Sequence, residues 1–304
     1  MRISSRAAGL LVGVALDAAF GDPRRGHPVA AFGRAAKALE DRLYADRKLN
    51  GVIYTATLVG GAAAAGYAVE RRAHGGTAEA AVTALATWAV LGGTSLAREG
   101  RVMAGYLERD DIEAARNRLG HLCARDPSHL DEGGLARATV ESIAENTSDA
   151  AIAPLVWGAV AGVPGLLAYR AANTLDAMVG YRNERYEQFG WASARLDDVL
   201  NWVPARVTAA ITVACAPRAW RVLRRDGGKH PSPNAGRCEA AFAGALGVRL
   251  GGANVYHGRK EQRPELGDGR PPETSDIRRA TRLSAIVTAV AALAAALAAN
   301  GSGR

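Results

Sequence analysis

The chain has 304 residues, with 38 Lys and Arg against 30 Asp and Glu, a formal net charge of +8, and 48% apolar residues but only 6% aromatic ones. Basic residues with so few aromatic neighbours argue against a base-stacking surface for nucleic acid, and their position beside apolar runs is typical of contact with anionic lipid headgroups or an anionic substrate. Three widely separated cysteines without CxxC spacing argue against a zinc site and against a disulfide framework.

Six apolar segments occur along the chain, at residues 7–20, 49–69, 80–97, 150–169, 207–217 and 283–303. The second and the sixth carry no charge over 21 residues and the third none over 18, which reaches across a bilayer at about 1.5 Å per residue. The fourth is interrupted by proline and glycine, and the fifth, with eleven residues, is too short to cross unaided.

The first apolar segment has two interpretations. Arg2 and Arg6 ahead of a short apolar run resemble the start of a cleavable signal peptide. Asp17 and the Gly-Asp-Pro turn at 21–23 fit a cleavage region poorly. The sequence therefore favours an uncleaved, membrane-associated helix.

The distribution of Lys and Arg predicts the orientation of these segments. Residues 21–50 hold seven and residues 218–282 hold fourteen, whereas 70–79 hold two. Because positive loops prefer the cytoplasm, the two richer regions are expected inside. Either 150–169 and 207–217 both cross, which would place the residues between them outside, or neither crosses fully; we favour the second arrangement.

The predicted fold class is all-α. We expect a polytopic integral membrane protein, one membrane-embedded domain over residues 1–304, with cytoplasmic helical and loop elaborations and with broken or re-entrant helices. The cell membrane is the expected location, and the lipid bilayer is therefore an expected partner.

Three polar clusters at helical spacing follow between residues 141 and 201. They are Glu141, Glu145 and Asp149, four residues apart; Arg170, Asn173 and Asp176, three apart; and Asp197, Asp198 and Asn201. Like charges at i, i+4 destabilise a helix unless a cation is bound, and carboxylates are the ligands that Mg²⁺ prefers. A solvated acidic face is the alternative, which three clusters in one apolar region disfavour.

Other polar residues have ordinary explanations as well as functional ones. His27 follows a turn and is either a ligand or base, or simply exposed. His129 lies in a second turn, where Ser128 or Asp131 is expected to cap the helix that carries Glu141. Two guanidinium groups among acceptors, Arg182 and Arg185, either clamp a phosphate or form a structural ion-pair network.

The chain resembles the adenosylcobinamide-phosphate synthase (CobD/CbiB) family of cobalamin biosynthesis. The resemblance is carried, in the family's order, by GDP…HPV at 21–29, RDPSHLDE at 125–132, ESIAENTSDAAIAPLVW at 141–157, RAANTLDAMVGYRNERY at 170–186, ARLDDVLNWVPAR at 194–206 and SPNAG…EAAFAGALGVRLGG at 232–252. These motifs cover most of the chain.

The resemblance implies a membrane ligase. It would join a propionate carboxylate of adenosylcobyric acid to (R)-1-aminopropan-2-ol or its O-phosphate, with ATP and Mg²⁺, and give adenosylcobinamide or its phosphate. The corrinoid, the aminoalcohol and other membrane enzymes of the late pathway are the implied partners, with the active region on the cytoplasmic side. No haem, zinc or nicotinamide cofactor is expected, and no GxGxxG or GxxxxGK[ST] motif occurs.

Site roles follow from carrying the family's chemistry onto the matching positions. The expected Mg²⁺ ligands are Glu141, Glu145, Asp149, Asp197 and Asp198. The same carboxylates are expected to be catalytic and to bind the ammonium group of the amine. The expected phosphate ligands are Arg170, Arg182, Arg185 and Arg195. The expected substrate-positioning residues are Asn146, Asn173, Asp176 and Asn201, and His27 or His129 would shuttle a proton.

Two alternatives stay open from the sequence. Aspartate-rich motifs in apolar helices also occur in Mg²⁺-dependent membrane transferases of the polyprenyl type. A non-catalytic transport or assembly subunit would instead line a path with its intramembrane polar residues.

Overall fold

The structure, a computed structural model, describes residues 3–22, 26–123, 126–181, 183–256 and 259–301. Over these residues the α-helices are α1 Ser5–Phe20, α2 Pro28–Leu43, α3 Lys48–Arg72, α4 Gly76–Val90, α5 Gly93–Leu107, α6 Ile112–Leu119, α7 Glu132–Asn146, α8 Ala153–Val179, α9 Trp191–Leu200, α10 Trp202–Cys215, α11 Ala219–Asp226, α12 Ala235–Leu246 and α13 Thr274–Gly301. A π-helical segment, Thr147–Ile152, joins α7 to α8.

Four helical stretches are long and apolar enough to cross a membrane, as judged by length and composition. They are Lys48–Arg72, Gly76–Leu107, Glu132–Val179 and Thr274–Gly301. The predicted all-α, polytopic fold class is thereby confirmed. The first apolar segment forms α1, and the fifth forms the 14-residue helix α10.

Two details of the secondary structure differ from the prediction. A two-stranded antiparallel hairpin, β1 Leu250–Tyr256 with β2 Arg259–Leu266, follows α12, and the all-α prediction did not include it. The predicted segment 80–97 is divided, because Leu91 is extended and the N–H of Gly92 donates to the carbonyl of Ala150 at 2.9 Å.

The predicted break in segment 150–169 is confirmed at Gly162. This residue has φ +64° inside α8, and Pro164 follows two positions later. The N–H of Val163 donates to the carboxylate of Glu70 at 3.2 Å. A side chain from α3 therefore satisfies a backbone group near the break, as a helix broken among apolar neighbours requires.

The chain divides into two compact units. The first comprises Met1–Gly92, Ala150–Asn201 and Ala292–Arg304, and the second comprises Gly93–Asp149 and Trp202–Ala291. The single membrane-embedded domain expected from the sequence stays a prediction.

Aromatic packing builds a core in the first unit. Tyr54 of α3 and Phe189, from the loop before α9, are both fully buried. Their ring centroids lie 5.0 Å apart, and Tyr44 adds a second ring 5.4 Å from Phe189. Leu175 and Val179 of α8 complete this cluster, so the loop 180–190 is held on the end of α8.

The core of the second unit is mostly aliphatic, with the ring of Phe242 inside it, and is drawn from α5, α6, α7, α11, α12, α13 and the hairpin. Helix α7 begins as the sequence predicts, because the Asp131 carboxylate accepts the N–H of Gly134 at 2.8 Å. Buried residues then occupy nearly every position from Leu135 to Ala144. The helix that carries Glu141 is therefore enclosed by protein on most of its circumference.

Two glycines set the contact between α1 and α4. A Cβ at Gly9 would lie 2.5 Å from the Cβ of Thr83, and one at Gly13 would lie 2.4 Å from that of Thr87. Small residues at four-residue spacing allow helices to approach closely where apolar burial supplies little driving force.

We expect Gly13→Val to destabilise the first unit, because the added side chain overlaps Thr87 and overpacking costs about 1–3 kcal/mol. The measurement is thermal unfolding of the detergent-purified protein. Gly60→Val is the matched control, since Gly60 also lies inside a helix but has no atom within 4 Å of its Cβ position. Equal melting temperatures for the two variants would contradict the packing argument.

Candidate functional site

Asp197 lies at the centre of a hydrogen-bonded cluster in the first unit. The side-chain amide of Asn173, from α8, donates to its Oδ1 at 3.3 Å. The side-chain amide of Asn201, the C-cap of α9, donates to its Oδ2 at 2.9 Å, and the Tyr169 hydroxyl donates to the side-chain Oδ1 of Asn201 at 2.8 Å. The structure therefore brings together Asn173, Asp197 and Asn201 as the sequence expected and adds Tyr169.

The charge of Asp197 is poorly compensated by its neighbours. The pKa of this carboxyl is raised to about 6, chiefly by burial. The hydrogen bonds from the Asn201 and Asn173 amides oppose the rise, and the charge of Asp198 contributes to it. An opposite charge nearby would favour the ionised form. A bound cation, either a metal ion or an ammonium group, would therefore stabilise the ionised form of Asp197.

A polar cavity of about 260 Å³ adjoins Asp198. Its chemistry is carried by Lys48, Tyr181, Tyr186, Trp191, Arg195 and Asp198. Arg195 lies 3.6 Å from the Asp198 carboxylate, and the Lys48 ammonium lies 5.1 Å from the centre of the Trp191 ring. Because Glu187 also lines it, the cavity offers two cations, two carboxylates and aromatic faces to a small zwitterionic ligand.

Arg185 has a structural partner. Its guanidinium donates to Glu40 at 2.9 Å and lies 4.3 Å from the centre of the Tyr44 ring, while the Tyr186 hydroxyl also donates to Glu40 at 3.0 Å. Burial opposes the charge of Glu40, yet the hydrogen bonds from Arg185, Tyr186 and Lys37 lower its pKa. This geometry matches the ion-pair alternative, and the predicted phosphate role of Arg185 stays a prediction; Arg182 lies outside the described residues.

Arg170 and Asp176 share α8 with Asn173 but have different surroundings. Arg170 lines a mostly apolar cavity of about 220 Å³ with Pro28, Val29 and Phe32. Asp176 lies near Tyr181. Burial and the charge of Asp176 both raise the pKa of that phenol.

The two candidate histidines lie in different environments. His27 is the N-cap of α2, and its Nδ1 accepts the N–H of Val29 at 3.1 Å. Its Nε2 lies 3.9 Å from Asp22. His129 is exposed in the turn that precedes α7.

The remaining predicted carboxylates lie in the second unit. Glu141 is buried and accepts the N–H of Gly251 at 2.7 Å, which ties α7 to the hairpin. The Asn146 amide donates to the Ser142 carbonyl at 3.0 Å. Glu141 and Asn146 therefore have contacts that stabilise the fold of this unit.

Glu145 and Asp149 lie near the buried thiol of Cys238. Burial raises the pKa of Cys238, as do the charges of Asp149, Glu145 and Glu239, while a hydrogen bond with Ser148 opposes the shift. Sequence reasoning missed Glu239, because a single carboxylate in the apolar helix α12 has no periodic signal. It also missed Tyr169, which lies one helical turn before Asn173 on α8, and Trp191, which begins the helix of Asp197. Lys48 was missed because only the tertiary structure brings it to the cavity that Asp198 lines.

The structure divides the five predicted metal ligands between two units. Among the residues it describes, no three His, Cys, Asp or Glu side chains are grouped as a metal site would require. Mg²⁺ is commonly held by one or two carboxylates together with substrate phosphates. The Asp197–Asp198 pair with its amide carbonyls fits that type of site; Glu141 fits it less well, because one of its oxygens already binds a backbone N–H.

We expect Glu40→Gln to destabilise the first unit by about 2 kcal/mol at pH 7, the order of a hydrogen bond to a charged group. A lowered pKa means that the stabilisation is present above the ordinary glutamate pKa and is lost as the pH falls through the folded-state value. Thermal unfolding at pH 7 and at about pH 4 should therefore show a difference from the unmodified protein that shrinks in acid. Glu184→Gln, at an exposed residue beside Arg185, is the control; a pH-independent difference would contradict this account.

Comparison with known proteins agrees with this arrangement of motifs. A family model described as CobD/Cbib protein matches residues 10–284. The chain is 55% identical over 303 residues to the cobalamin biosynthesis protein CobD of Mycobacterium tuberculosis strain H37Rv, covering 96% of each chain. It is 45% identical to the protein of that name from Geobacter metallireducens over 276 residues, covering 86% of this chain and 87% of the relative.

A third relative, the cobalamin biosynthesis protein CobD of Rhodobacter capsulatus, is 40% identical over 292 residues, covering 91% of this chain and 92% of its own. No solved structure matches the chain. The family match spans most of the chain, from α1 into α13, and includes both units. The chain therefore belongs to the CobD/CbiB family.

Proposed function

We propose that this protein is a membrane ligase of cobalamin biosynthesis. It forms an amide between a propionate carboxylate of adenosylcobyric acid and (R)-1-aminopropan-2-ol or its O-phosphate, at the expense of ATP. Family membership and the names of the relatives support the pathway. The observation that supports the chemistry is the buried Asp197 carboxylate, whose sequence neighbour Asp198 lines a cavity of mixed charge.

The cavity suits the aminoalcohol by size and charge. A volume of about 260 Å³ accommodates a small molecule and excludes a corrin ring. Asp198 would bind the ammonium group, and Arg195 and Lys48 would bind a phosphate if the phosphorylated form is used. A guanidinium and an ammonium at one cavity favour the phosphorylated substrate over the free alcohol.

Asp197 is proposed to act on the amine. An ammonium group must lose a proton before its nitrogen can attack a carbonyl carbon, and a carboxylate with a raised pKa is a better proton acceptor than an ordinary one. The nitrogen then forms the C–N bond as the bond between the carbonyl carbon and its leaving group breaks. Asn173 and Asn201 hold the carboxylate in place through both of its oxygens.

Mg²⁺ and ATP are proposed to supply the activation of the propionate carboxylate. Asp197 and Asp198 would hold the metal ion if it enters this unit, and Glu145 and Asp149 are the alternative carboxylates in the second unit. We also propose the cell membrane as the location, the cytoplasmic face for the active region, and other membrane enzymes of the pathway as partners. The four candidate spans support the membrane assignment.

Mass spectrometry of the corrinoid product tests the reaction. The detergent-purified protein would receive adenosylcobyric acid, ATP and Mg²⁺, with either the free aminoalcohol or its phosphate. A mass gain of one condensed amine supports the proposal and identifies the amine. Product formation without ATP, or none with folded protein beside an active control enzyme, would contradict it.

We expect Asp197→Asn to lower kcat by about 10²- to 10⁴-fold, the usual contribution of a positioned proton acceptor. The substitution preserves the shape of the side chain and one of its two acceptor oxygens, and thermal unfolding checks that the variant is folded. Asp46→Asn, the same change at an exposed loop residue, is the control and should retain full activity. Unchanged kcat in Asp197→Asn would exclude the proposed role of this carboxylate.

A further inference from the structure

A groove on the second unit has no part in the proposed reaction. Its volume is about 310 Å³, and α10, α11 and α12 form its walls. The apolar lining includes Ala209, Ala210, Val213 and Trp220, and the guanidinium groups of Arg206 and Arg237 supply its charge. An anionic amphiphile would match this groove, because its charged headgroup would bind the two cations and its apolar chain would contact the apolar lining.

The two arginines have no carboxylate partner. Arg206 donates to the carbonyl of Trp202 at 2.7 Å, and its guanidinium lies 3.9 Å from the centre of that indole ring. Burial and the charge of Arg237 both lower the pKa of Arg206. Over the described part of the chain, no Asp or Glu lies within ion-pair distance of either group, whereas the nearby Arg225 binds Asp226 at 2.7 Å.

The surroundings of the groove have the features of a membrane interface. Trp202 and Trp220 are 52% and 55% exposed, and tryptophan with one polar and one apolar side is enriched at the headgroup level of membranes. Helix α11 buries Val222 and Leu223 while its basic residues face outward. A short amphipathic helix of this kind typically lies in the plane of the interface and is attracted to anionic lipids.

We infer that the groove binds an anionic phospholipid. Its phosphate would lie between the guanidinium groups of Arg206 and Arg237, and an acyl chain would follow Ala209, Ala210 and Val213 towards Trp220. A bound phosphate would relieve the repulsion between the two arginines, and the acyl chain would cover the apolar wall. A soluble phosphate compound would satisfy the arginines alone and would leave the wall exposed to water.

Native mass spectrometry of the full chain tests this site. The detergent-purified protein would receive phosphatidylglycerol or phosphatidylcholine at equal concentration. We expect a preference for phosphatidylglycerol that falls roughly fivefold for each guanidinium removed, the usual effect of one basic residue near an anionic lipid. The variant is Arg206→Gln with Arg237→Gln.

The control removes the same charge elsewhere on the surface. Arg221→Gln with Arg224→Gln changes two exposed residues of α11 that do not line the groove, and should keep most of the preference. Ala210→Phe fills the groove without changing charge and should reduce binding even if the arginine variant does not fold. Equal lipid preference in the groove and control variants, or unchanged binding in Ala210→Phe, would overturn the inference.

A soluble competitor separates a lipid from a free phosphate. Glycerol 3-phosphate presents the same anion without acyl chains, so we expect it to leave bound phosphatidylglycerol in place at equimolar concentration. Displacement of the lipid at that concentration would overturn the lipid assignment. The measurement does not depend on turnover, so its failure is distinct from a failure of the proposed ligase reaction.

Discussion

Polar groups enclosed by apolar helices must find partners within the protein, because neither hydrocarbon nor a close-packed core can hydrogen-bond to them. The broken helix α8 shows this for the backbone: Gly162 departs from helical geometry, and the next N–H binds the carboxylate of Glu70. Asp197 shows it for a side chain, since two amides reach its two oxygens. In the second unit, Glu141 binds the backbone of Gly251. These contacts fix where the irregular segments of the chain can lie.

The same constraint separates two kinds of carboxylate that look alike in the sequence. Glu40 and Asp226 have cationic partners, and their pKa values are lowered despite burial. Among the residues that the structure describes, the neutral amides of Asn173 and Asn201 donate to Asp197, and its pKa rises to about 6. A carboxylate with cationic partners is already compensated and contributes to stability. A carboxylate without cationic partners keeps an uncompensated charge until a cation binds. This makes Asp197 the stronger candidate for a functional role.

Much of the fold could be predicted because helix length, uninterrupted apolar runs and proline or glycine breaks are local properties. The break in 150–169 and the cap at Asp131 belong to this class. The division of 80–97 could not be predicted, since it depends on a contact from Gly92 to Ala150. The hairpin after α12 was missed for a related reason: strand pairing is a long-range property, and the sequence showed only two adjacent glycines. The π-helical turn at 147–152 likewise shifts Asp149 relative to the i, i+4 face that the sequence suggested.

Residues of the candidate site could be predicted where polar side chains recur at helical spacing on one helix. Asn173 on α8 and the Asp197–Asn201 pair on α9 were both identified by spacing, and the packing of α8 on α9 then places them in contact. Lys48 begins α3 and Trp191 begins α9. Neither carries a motif of its own, so the tertiary structure assigns them to the cavity. Arg185 shows why both interpretations of its motif stayed open in the sequence. A pair of guanidinium groups among acceptors suits a phosphate clamp by composition, yet Glu40, distant in sequence, compensates one of those charges. Composition therefore identifies groups able to bind a ligand, and the location of their partners decides which of them remain available to do so.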